Sequence, residues 1–549
     1  MNSIRTSVMG VGAAVSALSL RPLAYAEQPV VPPTVVVVAT DPNASFIRAI
    51  LHRDFDYGDR LRPLDADPAT VAAGFLPGGT PNYAVFDKMK VRALVIPTVE
   101  AAGVRISYHD VRLARVMQQA FFPLSKVPAV RPVEIRDSVM RAYTTKDSLT
   151  DIALRRVSFV WDSLRTAARG KRDKDKKKLI IAQAKRDSLM AVTIAEGMQI
   201  RKAALADIAE RDSAIPVLVY RDSVARDSLT YEHRMAIHGV SDEVTRWITG
   251  QRGFAQSRLV YVQNGTLRVV DSDGANDRAI TNSGSALSPS WHPAGNRIVY
   301  SDFNDAGTQI AQVDIWTRRV KLVEATRRGL NVTPAYTPDG RRIIYTAGGV
   351  GPSDLVVTNA DSLMPARRFS YAAQETSSPS FSPDGSRVAY ISPRIWQGSG
   401  ANARLTPQIF TMNADGTGEV QLTPTFPGLR SYRTSPDWSP DGARVAYMQQ
   451  QGDFQLWTID VRDRKMNKLT SIGENEDPTW APDSRHLAFT SNRSGAKEIW
   501  VLDTRTGRYR QLTYRGGGAR LAAWSRLLGS WSWSHASIST PVPTPVQQR

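Results

Sequence analysis

The chain has 549 residues, enough for two or more domains, and its 42% hydrophobic and 22% charged content belongs to a folded protein, not to a disordered one. Lysine and arginine number 70 against 52 acidic residues, a formal charge of +18, which favours acidic partners in general without choosing among them. There is no cysteine, which excludes a disulfide framework, a thiolate metal site and a lipid-bearing cysteine.

Residues 1–26 read as a secretory signal. A positive charge at Arg5 precedes the apolar run VMGVGAAVSALSL, and Ala24-Tyr25-Ala26 places small residues at both positions a signal peptidase reads. The run is too short to span a bilayer, which takes about 20 apolar residues. The mature chain is expected to start at Glu27, in the periplasm, where anionic lipid, lipopolysaccharide phosphate and cell-wall acids are available and nucleic acid is not a partner.

Residues 27–124 read as the first part of a small α/β domain. TVVVVA (34–39) is a buried strand, and Asp41-Pro42 starts a helix over 44–55, with Asp as N-cap and Pro at the first helical position. A second helix over 82–90 leads to the strand 91–100, a turn at Ala101–Gly103 and the strand 104–111, with one more strand over 115–124. An insertion follows over 125–231, repeating IRDSV (135–139), KRDSL (185–189) and ARDSL (225–229) in helix-forming, polar composition. Its basic run GKRDKDKKK (170–178) reads as a solvated turn, or functionally as a contact for an anionic envelope surface. The domain is completed by a helix within 232–252, with Ile237, Val240, Val244, Trp247 and Ile248 on one face and Gly250 as its stop.

From 253 to 528 one theme recurs: SPSWHPAGNRIVY (288–300), TPAYTPDGRRIIY (333–345), SPSFSPDGSRVAY (378–390), SPDWSPDGARVAY (435–447) and DPTWAPDSRHLAF (477–489). The central aromatics Trp291, Tyr336, Phe381, Trp438 and Trp480 stand about 45 residues apart, with one interval of about 57, a period that marks a propeller or solenoid. Each unit reads as four short strands, the first two joined by a Pro-Asp-Gly turn, which is a propeller blade. RLVYV, TLRVVDSDG and DRAIT (258–281) supply strands two to four of a blade whose first strand is LAAWS (521–525). Five whole units and one split unit make six blades, closed by the two ends of the repeat. The fold class is therefore α+β multidomain: a small α/β domain, a six-bladed β-propeller closed by a split blade, and a disordered tail over 529–549. The longer stretch 392–408 is expected as a loop in blade four, offering Arg394 and Trp396 to a partner.

The signal, the small domain, the joint HRMAIHGVSDEVTRWITGQRGFAQSRLVYV (233–262) and the P-x-W-S-P-D-G blades together resemble the TolB family. The last strand, AAWSRLL, is similar to that family's terminal W-S-P pattern but has Arg526 where proline is usual. The resemblance implies a periplasmic scaffold of the Tol–Pal system that links TolA to the peptidoglycan-associated lipoprotein Pal, serving envelope integrity, cell division and protein import. It implies a Pal-like lipoprotein at one mouth of the channel, against Asn331, Thr333, Glu375, Thr376, Ser377, Ser378, Arg433, Thr434, Glu474, Asn475, Glu476, Asp477 and Arg520. Read singly, each is a polar loop residue satisfying a turn; read together, they form a rim. A TolA-like partner is implied at 27–34, a short segment whose three prolines remove donors that strand addition uses.

The resemblance implies no enzyme and no cofactor. No G-x-S-x-G is present, and the seven histidines are scattered. His238 is expected to pack or bond at the helix–propeller joint, and Asp271, Asp273 and Asp277 to form a hairpin turn and not a calcium loop. The alternative is an exported propeller of sugar-processing type, with a small-molecule or metal site in its channel.

Overall fold

The computed structural model describes residues 31–124 and 231–528, apart from 283, 305–306, 324–328, 350, 362–366, 370–374, 399–402, 426–430 and 515. The expected signal, most of the insertion with its basic run, residues 27–30 and the tail lie outside the described residues.

The N-terminal sheet contains β1 (Thr34–Val37), β2 (Arg62–Pro63), β3 (Ala93–Glu100), β4 (Gly103–Asp110) and β5 (Arg115–Pro123), in the spatial order β2-β1-β3-β4-β5. β1 runs parallel to both neighbours and the other pairs are antiparallel. Four consecutive valines suit β1 because both of its faces are covered. Val35 and Val37 point into a core with α1 (Ser45–Tyr57) and α4 (Tyr231–Thr249), while Val36 and Val38 point into a second core under α2 (Pro68–Ala73) and α3 (Tyr83–Lys88). Asp41 caps the short turn ahead of α1 as expected, accepting the Asn43 N–H at 2.8 Å. α4 buries Ile237, Val240 and Val244, and Trp247 meets Phe122 at 5.8 Å. Two small elements were not read from the sequence: β2, and α2 with its Asp67 cap on the Thr70 N–H. The signal for α2 was legible in Asp67-Pro68, the same Asp-Pro pair that opens the first helical segment.

Beyond Gly253 come six four-stranded sheets among the described residues. The first is closed by Ala519–Trp524, which pairs antiparallel with Arg258–Gln263, so the end of the repeat completes its beginning and no edge is left open there. Each central aromatic packs against the preceding blade. Trp291 joins Val260 and Val262, Tyr336 joins Val299 and Ile310, Trp438 joins Ala389 and Ile409, and Trp480 joins Ala446. Burial of each stabilises the ring by roughly 2–3 kcal/mol.

One expectation needs correcting. The extra length in blade four is not a loop in its described parts: strands Arg387–Gln397 and Arg404–Asn413 continue the ladder outward, with Trp396 opposite Leu405. Arg394 is not held free for a partner. It lies over the Phe410 ring at 4.3 Å and pairs with Glu419 at 2.8 Å, whereas Trp396 is 68% exposed.

Candidate partner-binding rim

Antiparallel blades put two kinds of connection on opposite faces. The turns joining first to second and third to fourth strands face one way; the second-to-third hairpins and the starts of the first strands face the other. The N-terminal domain binds the first set. Arg60 meets Asp483 at 3.1 Å, Arg508 meets Asp59 at 2.8 Å, and Arg53 meets Asp273 at 3.4 Å. The small domain therefore sits on the inner face of blades six and one, and every residue assigned to the rim lies towards the opposite mouth.

Each first strand carries a bulge. Ladder register slips at the same place in all six blades, and the residue there takes a left-handed backbone: Ser288, Thr333, Ser378, Ser435, Asp477 and Leu521, with φ from 48° to 53°. This conformation is uncommon outside glycine and is held here by the surrounding ladders. The bulge turns these side chains and those two residues later, such as Ser380, Asp437 and Thr479, onto the wall of a central cavity of about 310 Å³.

Bonds run around the wall from blade to blade. The backbone N–H groups of Trp438, Trp480 and Trp524 donate to Ser380 Oγ, Asp437 Oδ2 and Thr479 Oγ1 at 3.0, 2.7 and 3.1 Å. Ser378 N–H donates to Thr333 Oγ1 at 3.3 Å. Burial pushes the Asp437 carboxyl up to about 6, and burial together with the Glu476 charge does the same for Asp477.

The sequence-assigned residues divide by position within the strand. Asn331, Thr376, Arg433 and Asn475 stand three places before the proline and are buried in the joints between blades. Arg433, 1% exposed, donates to Gln449 Oε1 at 2.7 Å in its own blade and to Gln408 Oε1 at 2.6 Å in blade four. Asn331 Nδ2 donates to the Thr308 carbonyl at 2.8 Å, Leu355 N–H donates to Thr376 Oγ1 at 3.1 Å, and Asn475 accepts from Ser491 at 2.9 Å. These four shape the rim from beneath. Their burial had a sequence signal, because sister copies place Ala286 and Ala519 there. Thr434 is buried as well. Thr333, Ser378 and Asp477 reach the cavity wall, Ser377, Glu474 and Glu476 are half-buried beside it, and Glu375 and Arg520 are exposed. Arg526, the departure at the end of the last strand, also lines the cavity and donates to the Pro338 carbonyl at 3.2 Å.

The profile of the TolB beta propeller domain matches residues 246–426 and 417–528. The chain belongs to the TolB β-propeller family. Among curated relatives, the Tol-Pal system protein TolB of Bordetella parapertussis is 28% identical over 306 residues, 48% of this chain and 68% of that protein. The TolB of Bordetella pertussis is 29% identical over 310 residues, with the same coverage. A crystal structure of TolB from Acinetobacter baumannii superposes with a TM-score of 0.61 over 91% of this chain and 98% of that one, at 17% identity, a likeness of fold. The TolB fold thus accounts for both the small α/β domain and the six blades.

Of the joint between the domains, the sequence showed one residue. His238 was expected there and is found fully buried, its Nδ1 2.8 Å from Asp54 Oδ2. His486, Asp59, Asp483 and the arginines around them were not anticipated, because nothing local in the sequence brings 59 next to 486.

Proposed function

We propose that this chain is a periplasmic protein-binding scaffold of the Tol–Pal type. Its outer mouth docks a Pal-like lipoprotein, and its N-terminal segment 27–34 meets a TolA-like inner-membrane partner, so that the pair of contacts serves envelope integrity, division and import. The observation that carries this reading is the ring of bulged first strands, whose starts lie on the face away from the N-terminal domain. It is rigid, because circumferential bonds fix it before any partner arrives, and a preformed rim spares the ordering cost of binding. Thr333, Ser377, Ser378, Glu474, Glu476, Asp477, Glu375 and Arg520 are the contacts within reach; Asn331, Thr376, Arg433, Thr434 and Asn475 set their positions. The same reading treats the propeller as a gripping surface with no chemistry, and the basic run at 170–178 as a second contact for anionic envelope components.

The test is titration of a purified Pal-like lipoprotein, without its lipid, against the wild type and Thr333→Arg/Ser378→Arg. Each arginine projects into the channel and is expected to weaken binding at least tenfold, with circular dichroism checking that the variant is folded. Equal affinity of the two forms would remove the rim from the proposal.

A further inference from the structure

The joint between the two domains is built from buried ions, and two histidines stand in it. On one side, His238 of α4 binds Asp54 of α1 and lies 4.0 Å from Asp271 of blade one. Around it, Arg234 of α4 pairs with Asp271 and Asp273, Arg53 of α1 with Asp273, and Arg258 of blade one with Asp271. Asp242, a turn further along α4, holds the Ala255 and Gln256 N–H groups of the connecting segment. On the other side, His486 of blade six binds Asp483 at 2.9 Å and approaches Asp59 of the N-terminal domain at 3.4 Å. Arg60 reaches Asp483; Arg508 and Arg510 reach Asp59 and Asp56; Arg485 pairs with Asp503 and donates to the Asp59 carbonyl. The Phe254 ring closes over the His486 imidazole at 4.6 Å.

We infer that this joint is a protonation-controlled clamp: as imidazolium cations, His238 and His486 hold buried carboxylates of both domains together, and loss of the two protons releases the N-terminal domain about the 250–253 segment while the propeller stays closed. Each histidine faces more than one buried carboxylate; the arginines match the carboxylates in number, but Asp54 takes its ion-pair contact from His238, and His486 is the side chain that stands between Asp483 and Asp59. A neutral imidazole would leave Asp54, and the Asp59–Asp483 pair, with less compensation in a site without water's screening, which is costly. The apolar contact between domains is small by comparison: Tyr57 against the cluster of Phe254 and Leu512. The joint is therefore held mainly by ions, and the propeller by the apolar clusters between its blades.

The direction of the effect follows from the surroundings. Burial, the largest single influence, would lower both histidines below 6.5, but the carboxylates together outweigh it, Asp54 and Asp273 for His238 and Asp483, Asp59 and Asp503 for His486, so both are raised. A raised histidine supplies its stabilisation fully below the ordinary value of 6.5 and loses it as pH rises through the folded value. Asp242, pushed up to about 7 by burial, is protonated in part near neutrality. Its charge returns as pH rises, close to Asp54, and works in the same direction as loss of the histidine protons.

The chain has no cysteine, so two can be introduced and spin-labelled alone: Ala73→Cys at the last residue of α2 and Arg462→Cys in the third-to-fourth-strand turn of blade five, both exposed. Electron–electron distance measurement on the full chain is expected to give one narrow distribution at about pH 6 and a broad, longer one at about pH 9.5, reversibly, with far-ultraviolet circular dichroism unchanged. His238→Gln/His486→Gln is expected to be broad at both. Should that pair fail to fold, Asp59→Asn decides: removal of one carboxylate lowers the midpoint of the transition by about one unit. A distribution that stays narrow at both pH values, or a midpoint that Asp59→Asn does not move, overturns the clamp.

Discussion

Ser435 donates its hydroxyl to Asp477 Oδ1 at 3.0 Å, tying the left-handed bulge of blade five to that of blade six across the cavity wall. With Asp437 accepting the Trp480 backbone N–H and the Ser380 hydroxyl, two carboxylates are built into a wall that otherwise holds alcohols, prolines, aromatic and aliphatic side chains, with His292 and Arg526 at its end.

That placement has a consequence for pH. Asp437 and Asp477 both stand near 6 against an ordinary 3.8. Between those values the folded state keeps protons that the unfolded chain has released, so these two groups make stability fall as pH rises through the window. Asp437→Asn removes one of them. Urea denaturation at several pH values from about 4 to about 7 is expected to show the variant gaining on the wild type as pH rises. A constant difference would mean that Asp437 is ionised throughout.

Closure of the ring rests on Trp524. Its indole N–H donates to Ser257 Oγ at 2.8 Å, and its ring lies edge-on to Phe254 at 5.3 Å. Trp524→Ala leaves a cavity at the seam where the two ends of the repeat meet. It is expected to cost about 3–5 kcal/mol and to speed proteolysis within the split blade. Thermal unfolding and limited digestion would read both effects.

Two glycines at the same place in different blades separate backbone strain from crowding. Gly265 and Gly452 both turn a second strand into a third, at φ 75° and 88°. A Cβ on Gly452 meets open space, whereas one on Gly265 meets the Gly284 carbonyl at 1.9 Å. Gly452→Ala is expected to cost about 1 kcal/mol from conformation alone. Gly265→Ala should cost about 3 kcal/mol or more, because backbone has to move. Equal melting temperatures would contradict the crowding.

The blade-four hairpin offers a third contrast. Arg394 packs on Phe410 and pairs with Glu419, so Arg394→Ala should lower stability by roughly 1 kcal/mol. Trp396 touches little, and Trp396→Ser should stay within about 0.5 kcal/mol of the wild type by denaturant titration.

Local chemistry accounts for what could be read ahead of the structure. Each Pro-Asp-Gly turn, each P-x-aromatic segment and the Asp41-Pro42 cap acts within a few residues of itself, so repetition along the chain exposed the blade, its count and its closure. The assigned rim was legible only as a neighbourhood. Position relative to the proline decides whether a side chain faces the cavity, as Thr333 does, or is sunk between blades, as Arg433 is. That choice is made by a bulge, which shifts the alternation of faces by one residue and which five prolines and one alanine share without a common local signature.

By itself, the sequence determined six blades, the order of strands within them, the seam at the split blade and the buried stripe of α4, because turn chemistry and hydrophobic period are written in neighbouring residues. Only the tertiary structure decided that Asp59 meets His486, that Asp54 meets His238, and that the first strands start on the face away from the N-terminal domain. Those contacts join segments hundreds of positions apart, and buried charges find their partners only once two folded surfaces have been brought together.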